Sequence, residues 1–90
     1  MNFKYRLQEP WISKVSAMEE FANGATQATI KLKEGRVFHK ALISDATYLI
    51  AMRGFDDLPF DLIDIDEITQ GPGDKNPSER GGWKYWDDWK

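Results

Sequence analysis

Cysteine is absent from this chain of 90 residues. A disulfide framework, a thiolate zinc site and a cysteine nucleophile are therefore excluded. The sequence also lacks any run of about 18 apolar residues, and its start lacks the apolar stretch of a signal peptide. These absences predict a cytoplasmic protein that is not inserted in a membrane.

Histidine is nearly absent, since His39 is the only one. It lies beside Lys40 in a predicted strand, where a partly exposed structural side chain is far commoner than a general base. Ser44 and Asp45 are adjacent, but no glycine-flanked nucleophile elbow surrounds them, and we interpret them as turn residues. The sequence therefore predicts no catalytic residue and no enzyme activity.

Carboxylates are frequent between residues 56 and 67, yet their spacing does not match an EF-hand loop. Alternation places Asp64 and Asp66 outward while Ile63 and Ile65 pack inward. We therefore predict neither a metal ion nor a cofactor. The Gly-Pro-Gly at 71–73 lacks the lysine and the following helix of a phosphate-binding loop, and we interpret it as a linker.

Charge is unevenly distributed along the chain. Residues 25–54 carry five bases and two acids, a net charge of +3, whereas residues 55–90 carry ten acids and four bases, a net charge of −6. These charges are either ordinary solvated surface, or the acidic part screens the basic middle or meets a basic partner. An acidic inhibitor or immunity-type protein, which would fill the basic cleft of a nuclease or toxin, is one function of this kind.

The length allows one domain with a single modest core. We predict that residues 1–70 form the domain and that residues 71–90 form a linker and a tryptophan-rich C-terminal arm. Phe3, Tyr5 and Leu7 alternate with basic residues, which predicts a strand. From Trp11 to Ala22 the apolar spacing favours a short helix, with Pro10 at its first position and Gly24 after its end. The alternative is a strand that turns at Asn23-Gly24.

The middle of the chain has the clearest pattern. Residues 28–33 and 36–44 predict an antiparallel hairpin that turns at Glu34-Gly35. Residues 48–53 are apolar on both faces, which is typical of a central strand. Residues 54–61 predict a loop whose Phe55, Leu58 and Phe60 cover one end of the sheet. A last strand follows at 62–68, with Ile63 and Ile65 inward and Ile68 displaced by one residue, as at a bulge or a short turn.

The stretch from Leu32 to Asp45, LKEGRVFHKALISD, resembles the first motif of the Sm-like RNA-binding proteins, and residues 63–68 fall where their second motif lies. The resemblance implies a mainly β (α+β) fold: a small antiparallel SH3-like or Sm-like barrel with a short N-terminal helix. The motif's glycine is Lys40 here, and its arginine and glycine are Asp66 and Glu67, which repel phosphate. The resemblance thus supports a barrel more than RNA binding.

Two surfaces are candidates for binding. The first is the aromatic arm formed by Trp83, Tyr85, Trp86 and Trp89. If the arm forms a helix or a polyproline-like turn, the three-residue spacing gathers the indoles on one side, whereas a strand would split them between two faces. The indoles either cover the domain near Trp11 and the loop at 55–60 or anchor a protein partner, including a second copy of the chain. The second surface is basic and consists of Lys31, Lys33, Arg36 and Lys40, with Phe38 or Tyr48 available to stack on a base.

We therefore predict a non-enzymatic binding or assembly module that recognises a protein partner, or its own copy, through an apolar aromatic surface. A nucleic-acid-binding role for the basic residues is the alternative, and the acidic inhibitor is the third possibility.

Overall fold

The computed structural model describes residues 3–86. Its core element is an antiparallel sheet of four strands, β1 (Ala25–Leu32), β2 (Val37–Ser44), β3 (Tyr48–Met52) and β4 (Ile65–Thr69), in the order β3-β2-β1-β4. Two short helices, α1 (Trp11–Ser16) and α2 (Pro72–Lys75), and a 3-10 turn at Leu62–Asp64 complete the regular structure. The mainly β prediction is confirmed.

The sheet is bent but open. Each of its three strand pairings contains a register shift, and such irregularities bend strands and increase their twist. The last strand returns to the first, since β4 pairs with β1, but β3 and β4 do not pair within residues 3–86. A closed barrel is therefore not shown.

The N-terminal segment is extended but is not the predicted strand. It forms a single bridge between Arg6 and Tyr48, flanked by hydrogen bonds from Leu49 N–H to the Tyr5 carbonyl and from Leu7 N–H to the Thr47 carbonyl. The predicted alternation of inward and outward side chains is confirmed, because Leu7 is buried and Tyr5 is half-buried while Arg6 is exposed. The extended stretch ends after Leu7, where the chain turns at residues 8–11 and the Trp11 N–H donates to the Gln8 carbonyl.

Helix α1 starts at Trp11 but ends at Ser16 rather than Ala22. Only Val15 of this helix is buried, and most of residues 16–20 are exposed. A longer helix would therefore bury little additional apolar surface, and burial is what stabilises short helices. The alternative turn at Asn23-Gly24 also forms, since Ala22 and Ala25 are bridged and Gly24 has a φ of +76°. Each of the two interpretations is therefore right in part.

The predicted hairpin is confirmed as β1 and β2, with Ala28 opposite Ala41 and Ile30 opposite Phe38. The inward series of Ala28, Ile30 and Leu32 is buried as predicted. Strand β3 is buried on both faces, but it is an edge strand and not a central one. The N-terminal segment and the C-terminal residues cover it instead of neighbouring strands.

The chain before β4 departs from the prediction at one position. Ile63 lies on the 3-10 turn and is 71% exposed, so its inward placement is wrong. Ile65 and Ile68 are buried, and the bulge predicted before Ile68 is confirmed by the register shift between Lys31 and Leu32 of the paired strand. The half-buried Leu58 and Phe60 pack on the core as expected.

Apolar residues cover both faces of the sheet. The inner face carries the larger cluster, to which the N-terminal segment, α1, four strands and the C-terminal residues contribute: Leu7, Val15, Ala28, Ile30, Leu32, Ala41, Ile43, Leu49, Met52, Ile65, Ile68 and Trp86. The outer face carries a smaller cluster of Leu42, Ile50, Ala51 and Trp83. Within residues 3–86, neither helix has the length and apolar character that a membrane crossing requires.

Candidate functional site

Residues 71–86, here called the C-terminal segment, begin against the outer face of the sheet and end with Trp86 in the inner cluster. The stretch that we interpreted as a linker begins with α2, which Asp74 attaches to β1. Asp74 is 7% exposed; its Oδ1 accepts a hydrogen bond from Gln27 Nε2 at 2.9 Å, and its Oδ2 accepts bonds from Thr29 Oγ1 at 2.9 Å and the Gly71 N–H at 3.2 Å. A buried carboxylate with these partners holds the segment in place.

Arg53 attaches the middle of the C-terminal segment. Its Nη2 donates a 2.8 Å hydrogen bond to the Gly81 carbonyl, and its Cζ lies 3.8 Å from the centre of the Trp83 ring. Cation–π attraction and the hydrogen bond together orient the guanidinium. Arg53 Nε is buried and makes no hydrogen bond within residues 3–86.

The two described indoles of the arm lie on opposite faces of the sheet, so the prediction that the spacing gathers them on one side is wrong. Trp83 is 8% exposed and packs in the outer cluster. Trp86 is 5% exposed, packs edge-on against Tyr5 in the inner cluster and donates its Nε1–H to the Phe55 carbonyl at 3.1 Å.

The physical reason is the path of the chain past β3, an edge strand of the sheet. The Trp86 N–H donates a 3.0 Å hydrogen bond to the Ile50 carbonyl, so the chain passes round this edge between its two tryptophans. No helix or strand forms there, and the three-residue spacing that we used does not apply. The expectation that the indoles cover the domain near the loop at 55–60 agrees with the bond to Phe55.

Tyr85, between the two buried indoles, is 46% exposed. It lines an apolar groove of about 340 Å³, whose other walls are Leu42 and Ile50 of the outer cluster and the turn at 23–25. Trp89 lies outside the described residues. Of the four predicted partner-binding residues, two are therefore used within the domain and Tyr85 is accessible.

The four predicted nucleic-acid-binding residues are all exposed, but they do not form one basic surface. Arg36 pairs with Glu34, and its Cζ lies 5.6 Å from the centre of the Phe38 ring. Lys31 stands opposite Glu67 in the register of β1 and β4. The Lys33 N–H donates to the Asp64 carbonyl, which brings another acidic residue to this end of the sheet. Acidic residues thus lie beside all three, although within residues 3–86 only Arg36 forms an ion pair with one of them, since Glu67 pairs with Lys14.

Lys40 is placed apart from the others, in a polar cleft of about 490 Å³ between the sheet and the C-terminal segment. Gln27, Thr29, His39 and Arg53 line the sheet side of this cleft, and Asp74 and Glu79 line the other side. Sequence reasoning missed the cleft. The one signal was the polar pair Gln27 and Thr29 in a strand whose other face is apolar, which indicates a polar partner above that face.

No group of three possible metal ligands occurs within residues 3–86. Asp45 and Ala46 have φ angles of 52° and 58° and turn the chain from β2 to β3, which confirms Asp45 as a turn residue. The hydroxyl of Tyr5, at 2.7 Å, and then the Leu58 N–H lower the pKa of Asp57, which is an exposed structural contact.

Comparison of the chain with models of protein families, with curated proteins and with solved structures finds no significant match. The likeness to Sm-like proteins in residues 32–45 and 63–68 therefore stays a prediction from sequence.

Proposed function

We propose that this chain is a non-enzymatic binding module that recognises a protein partner at the apolar groove beside Tyr85. The observation that carries the proposal is the groove itself, which remains open although Trp83 and Trp86 are buried in the domain. The two indoles have a supporting role, because they hold the chain on either side of Tyr85.

The shape and chemistry of the groove favour a single bulky apolar side chain. Leu42 and Ile50 provide the apolar surface, and the half-exposed ring of Tyr85 provides one wall. Tyrosine is frequent in protein interfaces because it buries a large rigid ring while its hydroxyl stays in contact with water. A volume of about 340 Å³ is at the small end of ligand pockets. A leucine or phenylalanine in an extended segment of the partner is the occupant that we propose.

An acidic group at the rim indicates which residue accompanies that side chain. The Asp45 N–H donates a 2.9 Å hydrogen bond to the carbonyl of Gly24, which lines the groove. The Asp45 carboxylate also lies at this rim, since a Cβ atom on Gly24 would be only 2.9 Å from Asp45 Oδ1. Asp45 is exposed and forms no ion pair within residues 3–86. A lysine or arginine beside the apolar side chain of the partner satisfies this carboxylate.

The direct test is a titration with short peptides, followed by two-dimensional NMR of the ¹⁵N-labelled chain. The first peptide is acetyl-Lys-Ser-Leu-Ser-Lys-amide, and the second replaces both lysines by glutamate. We expect saturable shifts at Tyr85, Asn23 and Ile50 with the first peptide and weaker binding of the second.

Matched variants make the result specific. Tyr85→Ser should abolish the shifts, whereas Val37→Thr, which changes another exposed apolar residue on a different part of the sheet, should preserve them. Equal binding by the two variants, or no saturable shift with either peptide, rejects the groove as the binding site. A solution mass that rises with concentration and falls in Tyr85→Ser would identify a second copy of the chain as the occupant, and would contradict an outside partner.

An SH3-like or Sm-like barrel is the finer description of the fold that we propose. Its support is the pairing of the last strand with the first and the bend at every pairing. The nucleic-acid role implied by that likeness has less support, because Glu34 and Glu67 accompany the predicted basic residues. The acidic-inhibitor role stays a prediction from the charge of residues 55–90.

A further inference from the structure

We propose that the polar cleft is a second binding site, which takes the oxyanion group of a small organic molecule on Lys40 and Arg53. This site is separate from the groove beside Tyr85, and Trp83 packs between the two on the outer face. Its volume of about 490 Å³ lies within the range of ligand pockets, about 300–1,000 Å³, and leaves space for an organic part beside the anionic group.

Two positive side chains are placed directly opposite each other at one end of the cleft. Ala41 pairs with Met52, and the Arg53 N–H donates a 3.2 Å hydrogen bond to the Lys40 carbonyl, so Lys40 and Arg53 are the next cross-strand pair. Neither of them forms an ion pair within residues 3–86. Like charges opposite each other destabilise a sheet, and an anion between them removes that cost.

The backbone of Lys40 adds a second observation. Lys40 has a φ of 56°, and the register of β1 and β2 shifts between Ala28 and Ile30, so Lys40 lies at a bulge. Lysine adopts this left-handed conformation rarely, whereas glycine adopts it freely. Bulges redirect side chains and are common beside binding sites. The bulge brings Lys40 into the lining of the cleft rather than into the stretch of Lys31 and Lys33.

Arg53 provides the third observation. Its guanidinium is already oriented by Trp83 and by the Gly81 carbonyl, and its Nε–H is a buried donor without a partner within residues 3–86. A guanidinium fixed in this way recognises the two oxygens of a carboxylate or phosphate at little further loss of side-chain freedom. His39 adds a neighbouring ring, whose Nδ1 lies 3.4 Å from Thr29 Oγ1.

Two acidic residues, Asp74 and Glu79, also line the cleft, and Glu79 provides a test of whether the ligand is an anion or a cation. The carboxylate of Asp74 already accepts bonds from Gln27, Thr29 and Gly71. Glu79 is exposed and forms no ion pair in the described chain. Glu79 therefore repels an anion in the cleft and would attract a cation.

The experiment is an NMR titration of the ¹⁵N-labelled full chain at pH 7 with inorganic phosphate, acetate and glycerol 3-phosphate, at constant ionic strength. We expect saturable shifts of the Lys40 and Arg53 amides and of the Arg53 Nε–H, with no shift at Tyr85. Tighter binding of phosphate or of acetate identifies the preferred oxyanion. Glycerol 3-phosphate should bind more tightly than inorganic phosphate, because the cleft has space for the organic part.

Three variants decide the interpretation. Lys40→Asn keeps a residue that tolerates positive φ, and we expect it to weaken binding by about fivefold. Lys31→Gln removes the same charge outside the cleft and should leave the affinity unchanged. Glu79→Gln should strengthen binding. Equal losses in Lys40→Asn and Lys31→Gln, weaker anion binding in Glu79→Gln, or no saturable shift with any of the three anions would each overturn the proposal.

Discussion

The guanidinium of Arg53 lies over the ring of Trp83 in the C-terminal segment, with its Cζ 3.8 Å from the centre of that ring. Arg53 comes directly after β3, and Trp83 packs on Leu42, Ile50 and Ala51 of the outer face. This contact joins the end of a strand to a segment thirty residues later in the chain. It also separates the polar cleft from the apolar groove, since Arg53 lines the former and Trp83 packs beside the latter.

Arg53→Met removes the cation over Trp83 and the hydrogen bond to the Gly81 carbonyl. We expect a loss of about 1–2 kcal/mol in the free energy of unfolding and a changed tryptophan emission. Urea unfolding monitored by fluorescence measures both quantities. Arg53→Lys retains the charge and should lose less. Equal losses in the two variants would show that the positive charge over Trp83 adds nothing to the contacts of the planar guanidinium.

Trp86→Ala should be the most damaging of the changes considered in the C-terminal segment. Its indole is in the inner cluster, packs on Tyr5 and donates to the Phe55 carbonyl, so truncation leaves a cavity and an unpaired carbonyl. We expect a loss of about 3–5 kcal/mol in the free energy of unfolding, measured by urea denaturation. The neighbouring variant Tyr85→Ala should change that free energy by less than about 1 kcal/mol. The reverse order would contradict the placement of the two rings.

Asp74→Asn tests whether the buried carboxylate attaches α2 to the sheet. The oxygens of Asp74 accept hydrogen bonds from Gln27, Thr29 and Gly71. Asparagine keeps one of these acceptor oxygens and replaces the other by an NH₂ group, which is a donor and faces another donor. We expect a loss of roughly 1–3 kcal/mol in the free energy of unfolding. Hydrogen exchange of the Gly71 N–H should also become faster. Asp66→Asn, at an exposed position of β4, is the matched control and should have little effect on either measurement.

Tyr5→Phe should raise the pKa of Asp57 towards the ordinary value for aspartate. The Tyr5 hydroxyl donates to Asp57 Oδ1 at 2.7 Å and is the main cause that lowers this pKa, followed by the Leu58 N–H. A lowered pKa in the folded state stabilises the domain at pH values above the ordinary pKa, and this contribution is lost as the pH falls through the folded-state pKa.

The free energy of unfolding of the variant should therefore be lower than that of the original chain at neutral pH, and the contribution of Asp57 to this difference should disappear in acid. NMR titration of the Asp57 carboxyl carbon measures the pKa directly, and Tyr85→Phe is a control that leaves the Tyr5 contact in place. An unchanged Asp57 pKa in Tyr5→Phe would show that the hydroxyl does not hold the carboxylate.

Local pattern was sufficient for the middle of the chain. Alternation of apolar and charged residues determined β1 and β2 and the turn between them, because one face of each strand packs on the core wherever that core lies. The displacement of Ile68 likewise indicated a bulge before any pairing was known. Asp45 was recognisable as a turn residue from its neighbours alone.

Contacts between distant parts of the chain decided the rest. Residues 48–52 have the composition of a central strand, but they form an edge that the N-terminal segment and Trp86 cover. Ile63 has the spacing of an inward residue, but a 3-10 turn places it in solvent. The polar cleft depends on residues that are far apart in sequence, since Asp74 meets Gln27 and Arg53 stands opposite Lys40.

The tryptophans show most clearly which properties the sequence determined and which the tertiary structure decided. Composition alone determined that Trp83 and Trp86 have to be buried against some surface, since large apolar rings leave water wherever a surface accepts them. Only the tertiary structure decided that they go to opposite faces of the sheet, because the direction of a side chain in a segment without helix or strand depends on where that segment meets the rest of the domain.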